Sequence, residues 1–176
     1  EDQLIVATRQ GMAIRFNETD ARVLGRTARG VRALNLEEDD IVVGMVPVME
    51  NTTVLTVSEN GQGRRTDPAE YRLQSRGGKG IKNYDTQKNG PVAGVLAVGE
   101  EDDVILISDD GIIIRIPVAE ISTQSRYAGG VRVMRIGEGS RLVSLCRAPH
   151  EDEEEAAAES EAPAETETPA EETAAQ

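Results

Sequence analysis

The chain has 176 residues, of which 32 are Asp or Glu and 19 are Lys or Arg, so its formal net charge at pH 7 is −13. The single cysteine, Cys146, excludes an internal disulfide framework, and one His and no Trp leave little for a metal cluster or a base-stacking surface. Without a signal peptide or a long apolar run, the chain is expected to be cytoplasmic, with no membrane partner.

The first 149 residues predict short strands joined by tight turns. Runs of β-branched residues alternate with Gly, Asn and Asp turn signals, which is typical of hairpins. In chain order, the hairpins are predicted at 3–16, 53–66 and 103–116. Each is followed later by a further apolar run, and these runs lie at 41–48, 92–98 and 142–148. A helix is not predicted, apart from a single turn at 117–121.

The same pattern recurs every fifty residues. Four positions keep this spacing through the chain: Gly11, Gly61 and Gly111; Arg15, Arg65 and Arg115; Arg26, Arg76 and Arg126; Gly30, Gly80 and Gly130. About four strands per repeat is the pattern of propeller blades, here predicted at 1–49, 50–99 and 100–149. The alternative, a β-sandwich of unrelated hairpins, gives no reason for an exact period.

The remaining residues, 150–176, predict a disordered acidic tail. They include eleven acidic residues and no Lys or Arg, and they are otherwise mainly Ala, Pro, Thr and Ser. The rest of the chain is therefore close to neutral. The tail either keeps the protein soluble or folds over a basic surface and competes with its ligand.

Each repeat contains a loop rich in glycine and basic residues, at 26–32, 76–82 and 126–132. Because a repeat array presents equivalent loops on one side, these cations are expected to form a curved basic track. DNA phosphates suit such a track, since backbone contacts need only Lys, Arg and exposed N–H groups. Alternatively, the glycines serve tight turns and the arginines pair with Asp20, Glu70 and Glu120, which also recur every fifty residues.

Three stretches resemble a known family. Residues 16–36, the heptad "QSRGGKG" at 74–80 and the hairpin "SDDGIIIRIPVAEIS" at 108–122 are similar to the C-terminal domain of bacterial DNA gyrase A. The heptad resembles the gyrase box of that family, although Ser75 stands where the family has a basic residue. No Ser or Thr follows Lys79, so a nucleotide-binding P-loop is not expected.

The resemblance implies an all-β, propeller-like β-pinwheel whose blades exchange strands. This chain would hold the last three of six blades, half of the ring, as a fragment of a longer protein. It implies a DNA-wrapping function within a type II topoisomerase that supercoils DNA with ATP. The box at 74–80 is then a degenerate copy that contributes to the wrapped path without being its chief anchor.

The expected DNA-binding residues combine the basic loops, the box and nearby arginines. They are Arg26, Arg29, Arg32, Arg64, Arg65, Arg72, Gln74, Arg76, Gly77, Gly78, Lys79, Gly80, Lys82, Arg126 and Arg132. No catalytic, cofactor-binding or metal-binding residue is expected in this chain. ATP and magnesium would act elsewhere in the whole enzyme.

The family resemblance implies three kinds of partner: double-stranded DNA, the rest of gyrase A and the gyrase B subunit. It places the protein in the bacterial cytoplasm at the nucleoid. Two alternatives stay open, namely the related domain of topoisomerase IV and a propeller that binds an acidic protein through the same loops.

Other residues with chemical potential receive structural interpretations. Tyr71 and Tyr127 are expected to pack or to lie beside bound bases, and Cys146 is expected to be a small core residue. The acidic runs at 37–40 and 100–103 are expected to be solvated loop charge.

Overall fold

The structure is a computed structural model that describes residues 2–150, and residues 151–176 of the predicted tail lie outside the described residues. The described chain is almost entirely β-structure. Its strands are β1 Gln3–Thr8, β2 Met12–Asn17, β3 Val42–Val48, β4 Thr53–Ser58, β5 Gln62–Thr66, β6 Ile81–Lys82, β7 Val92–Val98, β8 Asp102–Ser108, β9 Ile113–Pro117, β10 Val131–Arg132 and β11 Leu142–Pro149. The three predicted hairpins and the three apolar runs after them are all found as strands.

The strands form three small antiparallel sheets, one for each repeat. The sheet orders are β3-β1-β2-β6, β10-β5-β4-β7 and β11-β8-β9. In each, a hairpin occupies the middle and the later apolar strand pairs with its first strand. Gly11 shows why the hairpin turns need glycine, because its φ of +86° lies in the left-handed region.

Strands are exchanged between repeats. The short strand β6 belongs to the second repeat but pairs with β2 of the first, with Ile81 opposite Ala13. In the same way β10 of the third repeat pairs with β5 of the second, with Val131 opposite Gly63. This exchange is the arrangement that a β-pinwheel requires, and the all-β blade prediction is confirmed.

Helical structure is confined to single turns. The turns Glu18–Asp20, Pro68–Glu70 and Val118–Glu120 are 3-10 helices at equivalent places, and the last lies within the turn predicted at 117–121. A four-residue α-helix, α1 at Thr86–Asn89, was not predicted, because one turn is too short to show a helical hydrophobic pattern.

Apolar side chains fill the space between neighbouring sheets. One cluster combines residues of the second and third repeats, among them Leu55, Val57, Leu106 and Met134. The prediction that Cys146 is a core residue is wrong, because it lies exposed on β11. β11 is the last strand of the described array, and no further described sheet covers its outer face.

Candidate nucleic-acid interface

The strand exchange positions the second and third of the three basic loops, which are residues 26–32, 76–82 and 126–132. The backbone N–H of Gln74 donates to the oxygen of Arg15 at 2.8 Å as the second loop begins, and β6 follows the loop's glycines. Gln124 donates to the oxygen of Arg65 at 2.8 Å in the third repeat. Each loop is therefore held against the preceding repeat at both its start and its end.

The first arginine of each of these two loops reaches the end of the preceding loop. Arg76 donates to the backbone oxygen of Arg32 at 3.1 Å and to that of Asp20 at 2.7 Å. Arg126 donates to the backbone oxygen of Lys82. Successive loops are thus in direct contact, and they form a continuous basic surface, as the repeat spacing predicted.

Most of the predicted cations are accessible to a ligand. The exposed ones are Arg26, Arg29, Arg32, Arg72, Lys79, Lys82 and Arg132, whereas Arg76 and Arg126 are half-buried. The three loops contain no acidic residue, so their charge is of one sign. A surface of this kind raises the local potential and attracts polyanions.

Arg64 is placed inside the protein rather than on this surface. Its side chain is fully buried at 0% exposure. It donates to the backbone oxygens of Ala128 at 3.0 Å and Arg126 at 2.7 Å, and also to that of Asn83. The equivalent residues Ile14 and Ile114 show that this position points inward. Arg64 therefore supports the third basic loop from beneath and cannot contact DNA directly.

Arg65 is also buried, with 5% of its surface exposed. It donates to the backbone oxygen of Ile121 at 2.5 Å and forms an ion pair with Glu100, whose pKa it lowers through hydrogen bonding and charge. Arg15 makes similar contacts one repeat earlier, to the oxygens of Pro68 and Tyr71. Arg65 therefore joins two repeats, and the predicted DNA contact is replaced by a structural role.

The box glycines let the second loop lie close to the first repeat. At Gly80, where φ is +76°, an added Cβ would approach the oxygen of Ala13 to well under 3.0 Å. Gly77 has φ of +83° and donates to the oxygen of Ala33 at 2.6 Å, while the oxygen of Gly78 accepts from Asn35 at 2.8 Å. These glycines thus shape the loop, which leaves its side chains to contact a ligand.

Two polar donors near the loops have no hydrogen-bond partner among the described residues. They are Nε2 of Gln74 and Nε of Arg126, and both atoms are buried. Lys79, in contrast, forms an exposed ion pair of 2.9 Å with Glu37. Exposed pairs of this kind contribute little to stability, so Lys79 is available to an incoming phosphate.

The tyrosines divide between core and surface. Tyr71 is fully buried, its hydroxyl donates to Oδ1 of Asn83 at 2.6 Å, and burial raises its pKa despite the opposing effect of nearby Arg64. Tyr127 is 76% exposed, and its ring lies 4.5 Å from the guanidinium carbon of Arg126. Tyr127 therefore belongs to the loop surface, where an aromatic ring can lie beside a base.

The predicted pairing of loop arginines with acidic side chains is not what holds them. Within residues 2–150, Arg76 uses the backbone of Asp20 rather than its carboxylate, and the carboxylate of Glu70 accepts from the backbone N–H of Arg126 at 2.7 Å. The side-chain charges of the loops are therefore left largely uncompensated.

The period also identifies a residue that the sequence prediction missed. Arg22 is exposed and lies fifty residues before Arg72, so it belongs with the same surface. The described part of the chain contains no group of three or more His, Cys, Asp or Glu that could hold a metal ion. None of its helices is long and apolar enough to cross a membrane.

Comparison with known families gives one match that follows the three repeats. The model of the family described as "DNA gyrase C-terminal domain, beta-propeller" matches residues 2–49, 52–98 and 102–145. The DNA gyrase A protein of Haloquadratum walsbyi is 49% identical over 63 residues, which is 35% of this chain and 7% of that protein. The corresponding protein of Aminobacterium colombiense is 44% identical over 64 residues, covering 36% and 8%. The matches thus span a small part of these relatives.

Solved structures agree with the family match. A DNA gyrase A C-terminal domain is 32% identical, with a TM-score of 0.76, over 84% of this chain and 50% of that one. A topoisomerase IV C-terminal domain gives a TM-score of 0.79 at 23% identity, over 90% of this chain and 50% of that one. The second comparison supports the fold alone, and the chain corresponds to about half of each solved domain.

Proposed function

Because the chain belongs to the DNA gyrase C-terminal domain family of β-propellers, we propose that its three basic loops bind the phosphate backbone of duplex DNA and bend the duplex along the array. The binding is electrostatic and independent of sequence, since Lys and Arg side chains and glycine-rich backbone supply phosphate contacts but no base reading. The proposed contacts are Arg22, Arg26, Arg29, Arg32, Arg72, Lys79, Lys82, Arg126 and Arg132.

The observation that carries this proposal is the contact between successive loops. Arg76 and Arg126 each bond to the backbone that ends the preceding loop, so the cations form one surface rather than separate patches. Smooth bending of one or two turns of DNA costs on the order of a few kcal/mol. A continuous row of phosphate contacts can offset this cost, whereas isolated contacts cannot hold a duplex bent.

By analogy with its relatives, the chain would act as part of a larger topoisomerase. The proposed partners are the remainder of gyrase A and the gyrase B subunit, in the bacterial cytoplasm at the nucleoid. ATP and magnesium would be used by those parts. No cleavage, ATP hydrolysis or supercoiling is expected from this chain alone, and its three repeats should bind DNA more weakly than a complete ring.

Topoisomerase IV is a second candidate for the larger enzyme. The similarity of fold to its C-terminal domain favours this reading, but Arg76 to Gly80 keep the gyrase box nearly intact. A propeller that binds an acidic protein would use the same cations, so the length of the DNA ligand is the variable that separates these functions.

The test is binding of fluorescent duplexes of about 15 and about 40 base pairs to the full chain across a salt series. We expect affinity to increase with duplex length and log K to fall linearly with log salt, by about 0.9 for each phosphate contacted. Binding that ignores duplex length, or that resists salt, would contradict wrapping on a phosphate track.

A matched pair of variants assigns the binding to the loops. Lys79→Ala with Arg132→Ala removes two exposed loop cations, and Arg141→Ala with Arg147→Ala removes two exposed cations from the third repeat outside the loops. We expect only the first pair to reduce the salt slope, by about 2. Equal slopes for the two pairs would show that total charge, rather than the loops, determines binding.

A further inference from the structure

Exposed apolar side chains are concentrated at the two ends of the repeat array. Among the described residues, six large ones lie in the first repeat, four in the third and one in the second. They are Val23, Leu36, Ile41, Val42, Met45 and Met49; Ile112, Ile113, Tyr127 and Val143; and Leu73. The middle repeat, which has a neighbour on each side, covers its apolar surface, so the ends have the surface that a further repeat would cover.

The third repeat has an open sheet edge where its predecessors have a partner strand. β2 carries β6 and β5 carries β10, whereas β9 pairs only with β8 among the described strands. Ile113, the counterpart of Ala13 and Gly63 in those pairings, is 64% exposed. An exposed apolar edge strand is a template for strand addition.

The first repeat carries the matching segment without a partner. Gly30 has φ of +82°, close to the values of Gly80 and Gly130, but no described atom lies within 4 Å of its Cβ position. An added Cβ at Gly80 or Gly130 would instead collide with a backbone oxygen of the preceding repeat. Residues 30–34 thus already have the conformation for an exchange, and the edge that would receive them is absent from their side of the array.

The hairpin turn of the third repeat is open in the same way. The oxygen of Gly11 accepts from the N–H groups of Asn83 and Tyr84, and that of Gly61 accepts from those of Val133 and Met134. At the equivalent Gly111, nothing described lies within 4 Å of the Cβ position. The N–H groups of Ala33 and Leu34 are the matching donors.

The inner strands show a second, independent match. At Gly44 the Cβ position is 2.8 Å from Val95, and at Gly94 it lies against Leu145, so a small residue accepts a larger one from the next repeat. The counterpart small residue in the third repeat is Ser144, which is exposed. The counterpart large residue in the first repeat is Met45, which is 61% exposed.

We propose that these two ends bind each other between two copies of the chain. Val31 of one copy pairs with Ile113 of the other, Arg32 pairs with Ile112, and Met45 packs on Ser144, in the register of the two internal exchanges. Two copies then close a ring of six sheets about a twofold axis. The solved domains of the same fold, of which this chain covers 50%, have the size that such a ring requires.

A second copy is the occupant because its own residues supply every matching group. One contact between two copies leaves one donor end and one receiving end free, and closing the ring satisfies both. Each copy has a formal charge of −13, so the copies repel one another at low salt. Association should therefore strengthen with salt, which is opposite to DNA binding and separates this proposal from the proposed function.

The experiment is sedimentation velocity of the full chain over a range of protein and salt concentrations. We expect a monomer–dimer equilibrium that shifts toward dimer as either is raised. In Gly30→Asn the new side chain stands in open space in the monomer, and Asn tolerates positive φ, so the fold should persist by circular dichroism. Its Cβ blocks the exchange, and the dissociation constant should rise by about tenfold or more.

A mixing experiment tests whether the two ends are different and complementary. Gly111→Asn should also be monomeric, because it blocks the receiving end. An equimolar mixture with Gly30→Asn should form a heterodimer, since each variant keeps the end that the other has lost. The control is Gly139→Asn, which has φ of +80° and open space around it but lies outside both ends, and it should dimerise as the unmodified chain does.

Three results would overturn the proposal. The unmodified chain remains monomeric at all concentrations, or its dimer survives both Gly30→Asn and Gly111→Asn. The third is growth of open oligomers beyond a dimer, which would show that the ends meet without closing a ring.

Discussion

The guanidinium of Arg76 donates a hydrogen bond of 3.1 Å to the backbone oxygen of Arg32, 44 residues earlier in the chain. The contact joins the first residue of one basic loop to the last residue of the preceding loop. Arg126 and Lys82 repeat it one unit later. The box arginine therefore organises the basic surface as well as contributing charge to it.

This contact predicts that Arg76→Lys weakens the fold although it conserves charge. Lysine lacks the planar fork that reaches the oxygens of both Arg32 and Asp20, so we expect the free energy of unfolding to fall by about 1 kcal/mol. Urea unfolding measures this loss. The control, Arg32→Lys, changes an exposed side chain whose backbone alone makes the contact, and equal losses in the two variants would contradict the assignment.

Gly80 predicts a sharper loss. Gly80→Ala places a Cβ against the oxygen of Ala13 at a residue with φ of +76°, so either the loop moves or β6 detaches. We expect destabilisation of about 2 kcal/mol, measured by urea unfolding. Gly25→Ala is the matched control, since nothing described lies within 4 Å of its Cβ position, and it should be nearly neutral.

The buried guanidinium of Arg64 predicts that the third basic loop depends on it. Arg64→Met preserves most of the volume but leaves three backbone oxygens and the hydroxyl of Thr66 without their donor. We expect a loss of about 3 kcal/mol and faster amide hydrogen exchange at residues 126–129. If exchange at these residues matched that of the exposed control Arg132→Met, Arg64 would not be what orders the loop.

Asp103 predicts a loss of stability in acid. Burial acts to raise the pKa of its carboxyl, but hydrogen bonds from His150 and Arg115, both at 2.7 Å, outweigh burial and hold the pKa below its ordinary value. A depressed folded pKa contributes stability above the unfolded pKa of about 4, and this contribution is lost as pH falls through the folded value.

We therefore expect Asp103→Asn to reduce the difference in unfolding free energy between about pH 5 and about pH 2. Urea unfolding at the two pH values measures it. Glu138→Gln neutralises an exposed carboxylate in the same repeat and should leave the difference almost unchanged. An unchanged difference in Asp103→Asn would show that this carboxyl is not linked to folding.

The repeats and hairpins were predictable because both depend on local signals. Gly11, Gly61 and Gly111 mark the turns, and the apolar runs between them alternate as half-buried strands do. The strand exchange was available only through the family resemblance. Two-residue strands such as β6 carry no pattern of their own, and their partners lie far away in the chain.

The set of binding residues was less predictable, because charge does not reveal direction. Consecutive strand residues face opposite sides, so Arg64 and Arg65 could not both belong to one surface. The repeat contained a signal, since Ile14 and Ile114 occupy the position of Arg64 and point inward. The burial of Arg65 depends on a turn of the next repeat, which no local pattern describes.

The exchange of β6 and β10 also has a consequence for how this protein can change in length over evolution. Every sheet borrows its last strand from the following unit, so the folding unit is offset from the fifty-residue sequence unit. Duplication or deletion of a whole unit creates a junction with the same chemistry as the old ones. The number of blades can therefore vary without new interfaces having to arise.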